Sequence, residues 1–119
     1  MRKFWIGLML FAGAASAQDD RLRDGEDWLS LPALEKRLVG QTVTFFDDGQ
    51  SYYYEDGRYT YTYGNDGGSA YGYYELGADG TVCIEFVNGF SRCDQFIQAE
   101  ERLMLLTEKG VRFPIRPAE

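Results

Sequence analysis

The chain has 119 residues, the size of one domain, with 19 acidic against 12 basic side chains and a net charge of −7. That balance argues against binding a phosphate backbone, so no nucleic-acid partner is expected. Histidine is absent, which removes the usual general base, the commonest metal ligand and the ordinary sensor of neutral pH, and weakens most enzyme readings at once.

Met1, Arg2 and Lys3 form a positive start, residues 4–12 are apolar, and Ala15-Ser16-Ala17 supplies small residues before Gln18. This is the pattern of a secretory signal peptide over residues 1–17. The competing reading is a membrane anchor, but the apolar run is too short for a hydrocarbon core about 30 Å thick. Cleavage removes Arg2 and Lys3, taking the mature form from −7 to −9. With no cysteine near the cleavage site to carry a lipid, a soluble periplasmic product without stable membrane insertion is expected. Residues 18–29 are charged and lack periodicity, which predicts a flexible acidic tail with Trp28 as its first anchor. Residues 30–119 are expected to form a single β domain.

That domain is expected to begin with a short helix: Ser30 can cap it, Pro32 suits its first turn, Leu31, Leu34 and Leu38 share a face, and Gly40 can end it. From Gln41 onward, runs rich in Thr, Tyr, Phe and Val alternate with Asp-Gly and Asn-Gly turns. Eight strands are predicted, near 42–47, 50–55, 58–63, 69–76, 81–87, 90–97, 102–108 and 111–115. The fold class is therefore all-β: an antiparallel meander forming a small up-and-down barrel or a curled sheet, with the helix over one mouth.

Turn lengths predict register. Two-residue loops at Asp48-Gly49 and Asp56-Gly57 would place Val43, Phe45, Tyr52, Tyr54, Tyr59 and Tyr61 on one buried face, with Thr44, Phe46, Ser51, Tyr53, Thr60 and Thr62 outside. The same loops set Glu55 across from Arg58. Cys83 and Cys93 are the two cysteines of a secreted chain, so a disulfide is expected. A three-residue loop at Val87-Asn88-Gly89 brings them face to face. Around Gly77–Gly80, pairing Tyr73 with Ile84, Tyr71 with Phe86 and Glu75 with Val82 adds Tyr71, Tyr73, Val82, Ile84, Phe86, Phe90 and Phe96 to the apolar side. Glu75, Arg92 and Asp94 fall on that side too, and a desolvated Arg92 should then meet a carboxylate, Glu75 or Asp94.

These residues supply the candidate site: Arg92, Asp94 and Glu75 as a polar group inside the cup, with Tyr71 and Tyr73 as flat aromatic walls suited to sugars or aromatic ligands. The bland alternatives are a structural ion pair and ordinary strand packing of tyrosines. No nucleophile or metal constellation accompanies the carboxylates, and the Asp-rich turns lack the ligand spacing of a calcium loop, so no catalytic residue, metal or cofactor is expected.

Leu38-Val39-Gly40-Gln41-Thr42 after a short helix, the Tyr-rich segment with Asp56-Gly57, Val82-Cys83-Ile84 and Phe90-Ser91-Arg92-Cys93 resemble a loose group of small secreted alphaproteobacterial proteins of unknown function. That resemblance implies no activity to carry over. In size, leader and β character the chain is also similar to periplasmic lysozyme inhibitors, although their Ser-Gly-x-x-Tyr segment is replaced here by Gly68-Ser69-Ala70-Tyr71. The expectation is a non-enzymatic periplasmic binding or accessory module for a small molecule or a periplasmic protein. The alternative is an inhibitor of a basic cell-wall enzyme such as a lysozyme, which the negative charge would help to attract.

Overall fold

The computed structural model describes residues 21–117; the expected leader and residues 18–20 lie outside them. The elements are β1 (Asp27–Trp28), α1 (Leu31–Leu38), β2 (Thr42–Thr44), β3 (Gln50–Tyr53), β4 (Arg58–Thr62), β5 (Ser69–Leu76), β6 (Thr81–Phe86), β7 (Ser91–Ala99), β8 (Arg102–Leu106) and β9 (Arg112–Pro114). Strands β2 to β9 are paired in chain order, each antiparallel to the next, as an eight-stranded meander. The sheet curls into a half-barrel whose edge strands touch at one corner. There Phe45 bridges Ile115 and the Arg116 N–H donates to the Thr44 carbonyl at 2.8 Å.

Five of the hairpins share one turn design. Phe45, Tyr54, Gly77, Phe86 and Thr107 each donate a backbone hydrogen bond to the residue four positions on, closing three-residue loops at 46–48, 55–57, 78–80, 87–89 and 108–110. The third loop residue has positive φ every time: Asp48, Gly57, Gly80, Gly89 and Gly110. This is a turn followed by a left-handed residue, the usual three-residue hairpin. The expected loop at 87–89 is therefore present, and Cys83 pairs with Cys93 as the count required.

The two-residue loops expected at Asp48-Gly49 and Asp56-Gly57 are corrected to three residues. Val43 faces Ser51 and Tyr53 faces Tyr59, so Ser51 and Tyr53 are buried while Tyr52 and Tyr54 turn outward. A change of turn length by one residue flips every side chain of the following strand. Gly49 is not the turn residue. It is the first ladder position, where an added Cβ would collide with the Tyr61 hydroxyl. The outward tyrosines meet edge-to-face with centroids 4.6 Å apart, and Arg58 lies over the Tyr54 ring at 4.7 Å. Arg58 pairs with Asp56, not Glu55.

Strand β5 is corrected in the same way. Gly72 faces Phe86, Tyr74 faces Ile84 and Leu76 faces Val82, which places Tyr71, Tyr73 and Glu75 on the outer face. Gly72 sits between Tyr59 of β4 and Phe86 of β6. Because it has no side chain, the two rings meet across it at 6.0 Å, and a Cβ there would strike the Glu85 carbonyl. A glycine at such a position marks a bend where strands approach closely. Phe90, expected inside, is 74% exposed at the hairpin tip. Phe46 is exposed as expected.

The core comprises Val43, Phe45, Tyr53, Tyr59, Val82, Ile84, Phe96 and Leu103 from the sheet with Leu29, Leu34 and Leu38. Helix α1 covers the end of the half-barrel nearest the 55–57 and 78–80 turns, packing Leu34 and Leu38 inward, while Leu31, expected on the same face, is exposed. Ser30 caps it, accepting from the Ala33 N–H, and Pro occupies its first turn.

Residues 21–29 are not a free tail in the structure. Asp27–Trp28 extends the sheet beside β7, and Leu29, 3% exposed, donates its N–H to the Phe96 carbonyl at 3.0 Å. Glu26 pairs with Arg112 at 2.7 Å with little exposure on either side, and the Arg112 hydrogen bonds hold the Glu26 carboxyl below its ordinary range. The sequence signal was poor because the segment contributes one short strand and a single ion pair, neither of which has a period.

The Cys83–Cys93 disulfide lies on the outer face with Cα atoms 4.0 Å apart. Its loop is short, so replacing both cysteines by serine is expected to lower stability by at most about 2 to 3 kcal/mol. The hairpin should survive through its backbone ladder and the inner residues Val82, Ile84 and Phe96. Denaturant midpoints of the oxidised protein and the double variant check this.

Candidate functional site

Inside the half-barrel, toward the end opposite α1, lies a cavity of about 220 Å³. Its floor is Val82, Ile84 and Phe96; its walls are Ser51, Tyr53, Tyr59, Phe86, Arg92 and Asp94; Asp47, Tyr61, Tyr63 and Phe113 border the opening. Strands β3, β4, β6 and β7 contribute alternate residues, as inward positions of a curled sheet must. Tyr53 and Tyr59 pack with centroids 5.1 Å apart, and Tyr61 meets Tyr63 nearly edge-on at 4.8 Å.

Of the residues singled out in the sequence, the structure brings together Arg92 and Asp94. Arg92 grips Asp94 with two parallel bonds, Nε to Oδ2 at 2.8 Å and Nη2 to Oδ1 at 3.1 Å. The Arg92 side chain is 46% exposed whereas that of Asp94 is 7%. Burial pushes the Asp94 carboxyl above its ordinary value, and the Arg92 hydrogen bonds pull against that shift. Glu75, Tyr71 and Tyr73 are not part of the site; all three lie on the outer face. The tyrosines lining the cavity are instead Tyr53 of β3 and Tyr59 and Tyr61 of β4, with Tyr63 just beyond. The alternation of β4 correctly puts Tyr59 and Tyr61 inside, whereas Tyr53 is expected outside.

The remaining polar groups are largely satisfied within the wall. The Ser51 and Tyr59 hydroxyls share a hydrogen bond of 2.8 Å. Burial raises the Tyr59 phenol to about 12 and pushes Tyr53 well above its ordinary value. Both are therefore neutral at physiological pH, able to hydrogen-bond but unsuited to act as bases. Asp47 accepts the Gly49 N–H at 2.9 Å through Oδ1. Among the described residues no three His, Cys, Asp or Glu side chains converge to hold a metal ion, and no helix is long and apolar enough to cross a membrane.

Removing Arg92 separates its packing from its charge. Arg92→Ala leaves Asp94 buried without its partner, and is expected to cost about 1 to 3 kcal/mol, below the figure for a fully buried pair because half of Arg92 is in water. Asp94→Asn, which keeps a buried acceptor without the charge, should cost less. Thermal melts of the two variants check the order.

Comparison with protein-family models, with characterised proteins and with solved structures yields no match.

Proposed function

We propose that the protein is a non-enzymatic binding module acting outside the cytoplasm, in the periplasm, with the tyrosine-walled cup as its ligand site. The observation that carries this reading is the cavity itself, a concave, mainly apolar space with a few fixed polar groups. Ligand sites have that composition. The disulfide and the leader-like N-terminus favour the compartment. At 220 Å³ the space is smaller than the roughly 300 Å³ at which drug-sized sites begin, so it suits a fragment or the head of a larger molecule.

Titration with phenol, followed by backbone amide shifts, tests the reading. Shifts concentrated on Tyr59, Tyr61 and Ile84 are expected, with Tyr71 and Tyr73 as outer-face controls. Shifts confined to the outer face, or none, would reject the cup as a site.

A second reading, inhibition of a basic cell-wall enzyme, is favoured by the exposed carboxylates at the hairpin tips, Asp47, Asp48, Asp56, Asp66, Asp79 and Glu108. Such a surface accelerates encounter with a cationic partner in a salt-dependent way. Inhibition of a purified basic lysozyme that weakens as salt is added would favour it.

A further inference from the structure

We infer that the cup selects a small organic cation, an ammonium group on a short apolar or aromatic body. The inference rests on the cup being a ligand site and assigns the charge of what enters.

Three observations carry it. First, among the described residues Arg92 is the one basic side chain bordering the cavity, and Asp94 already occupies two of its donors in a bidentate pair. Asp94 cancels the charge of Arg92, so the donors that Arg92 keeps free would meet an anionic ligand with no net positive charge behind them. Second, with that pair neutralised, Asp47 at the opening leaves an excess of one negative charge. The neighbouring arginine is committed elsewhere: Arg116 pairs with Asp48 at 2.7 Å. Third, the described stacked arginines lie on rings outside the cup: Arg21 over Trp28, Arg58 over Tyr54 and Arg116 over Phe46.

At the opening, Tyr61 and Tyr63 stand at 83° to each other with centroids 4.8 Å apart, so two differently oriented rings border one space. The Asp47 carboxylate and the Tyr61 hydroxyl both pack against Gly49, which puts an anion beside those rings. Aromatic faces attract cations through their quadrupole, and a nearby carboxylate adds to the attraction; quaternary and primary ammonium groups are recognised by such cages.

The test uses three probes with one skeleton and different charge: benzylammonium, benzyl alcohol and benzoate. Each is titrated into the folded protein and followed by the amide shifts of Tyr59, Tyr61 and Tyr63. The expected result is that benzylammonium binds about tenfold more tightly than benzyl alcohol, that benzoate binds more weakly than either, and that Asp47→Asn collapses the amine-to-alcohol ratio toward one. Asparagine keeps the acceptor used by the Gly49 N–H, so the turn is retained, and an unchanged melting temperature verifies that. Equal affinity for amine and alcohol would overturn the cation assignment while the cup stands as a neutral site. Preference for benzoate, or an amine preference untouched by Asp47→Asn, would overturn it as well. Failure of all three probes to shift the cup amides would remove both the assignment and the binding reading.

Discussion

Replacing Phe96 by alanine is expected to destabilise the fold by about 3 to 5 kcal/mol, the usual range for losing a fully buried aromatic. Phe96 is wholly inaccessible and packs at the centre of the main cluster. Its backbone is equally enclosed: its N–H donates to the Gly80 carbonyl at 2.8 Å and its carbonyl accepts from Leu29. Gly80 fits against it so closely that a Cβ would collide with the Phe96 carbonyl. A domain of this size has total stability of about 5 to 15 kcal/mol, so the variant should melt at least about 12 °C lower, at 4 °C or more per kcal/mol. Because Phe96 forms part of the cavity floor, truncation also deepens the cup. A variant melting within a few degrees of wild type would show that the core is organised around another residue.

Alkaline pH is expected to unfold the protein through its buried tyrosines. Tyr59 titrates near 10.0 in the unfolded chain and about 12 when folded, because burial disfavours the phenolate. Between those values the folded state retains a proton that the unfolded state releases. The stability tied to Tyr59 is therefore complete below pH 10 and is lost as pH rises through about 12. Two pKa units correspond to about 3 kcal/mol, and Tyr53, raised by the same cause, adds to the loss. Tyr59→Phe should flatten the alkaline limb, at a cost near neutrality of about 1 kcal/mol for the lost Ser51 hydrogen bond. Denaturant unfolding of both proteins across this pH range, with tyrosinate absorbance recorded alongside, measures the difference. Identical alkaline limbs would show that the Tyr59 hydroxyl is reached by water in the native state.

The candidate site shows where local reasoning succeeded. Cys83 and Cys93 on one side of the β6–β7 hairpin imply Ile84 and Arg92 on the other, and that register places Arg92 next to Asp94 along β7. It failed at β5 for an identifiable reason. The pairing of Tyr73 with Ile84 implies a four-residue turn at Gly77–Gly80, and the resulting face contains Glu75 while excluding Leu76. That charge on an otherwise apolar surface was the sign of an inverted strand, since the other parity carries Ala70, Gly72, Tyr74 and Leu76. At β3 no such warning existed, because Tyr52 and Tyr54 are as apolar as Tyr53. A tyrosine is equally at home packed in a core or lying across the outside of a sheet.

Alternation, turn residues and capping are local, so the sequence by itself determined the all-β class, the capped helix at Leu31–Leu38, the order of the strands and the Cys83–Cys93 pairing. Faces depend on turn lengths, and those depend on contacts made at a distance. Asp48, not Gly49, takes the left-handed position, with the Tyr61 hydroxyl over Gly49, and Gly72 lies inside, where Tyr59 and Phe86 meet across it. The same holds for the N-terminal segment, whose strand exists because Arg112 and β7 hold it. Which tyrosines line the cup was decided by this tertiary packing: a one-residue change in a loop inverts a strand, and long-range fit selects between two nearly equivalent loops.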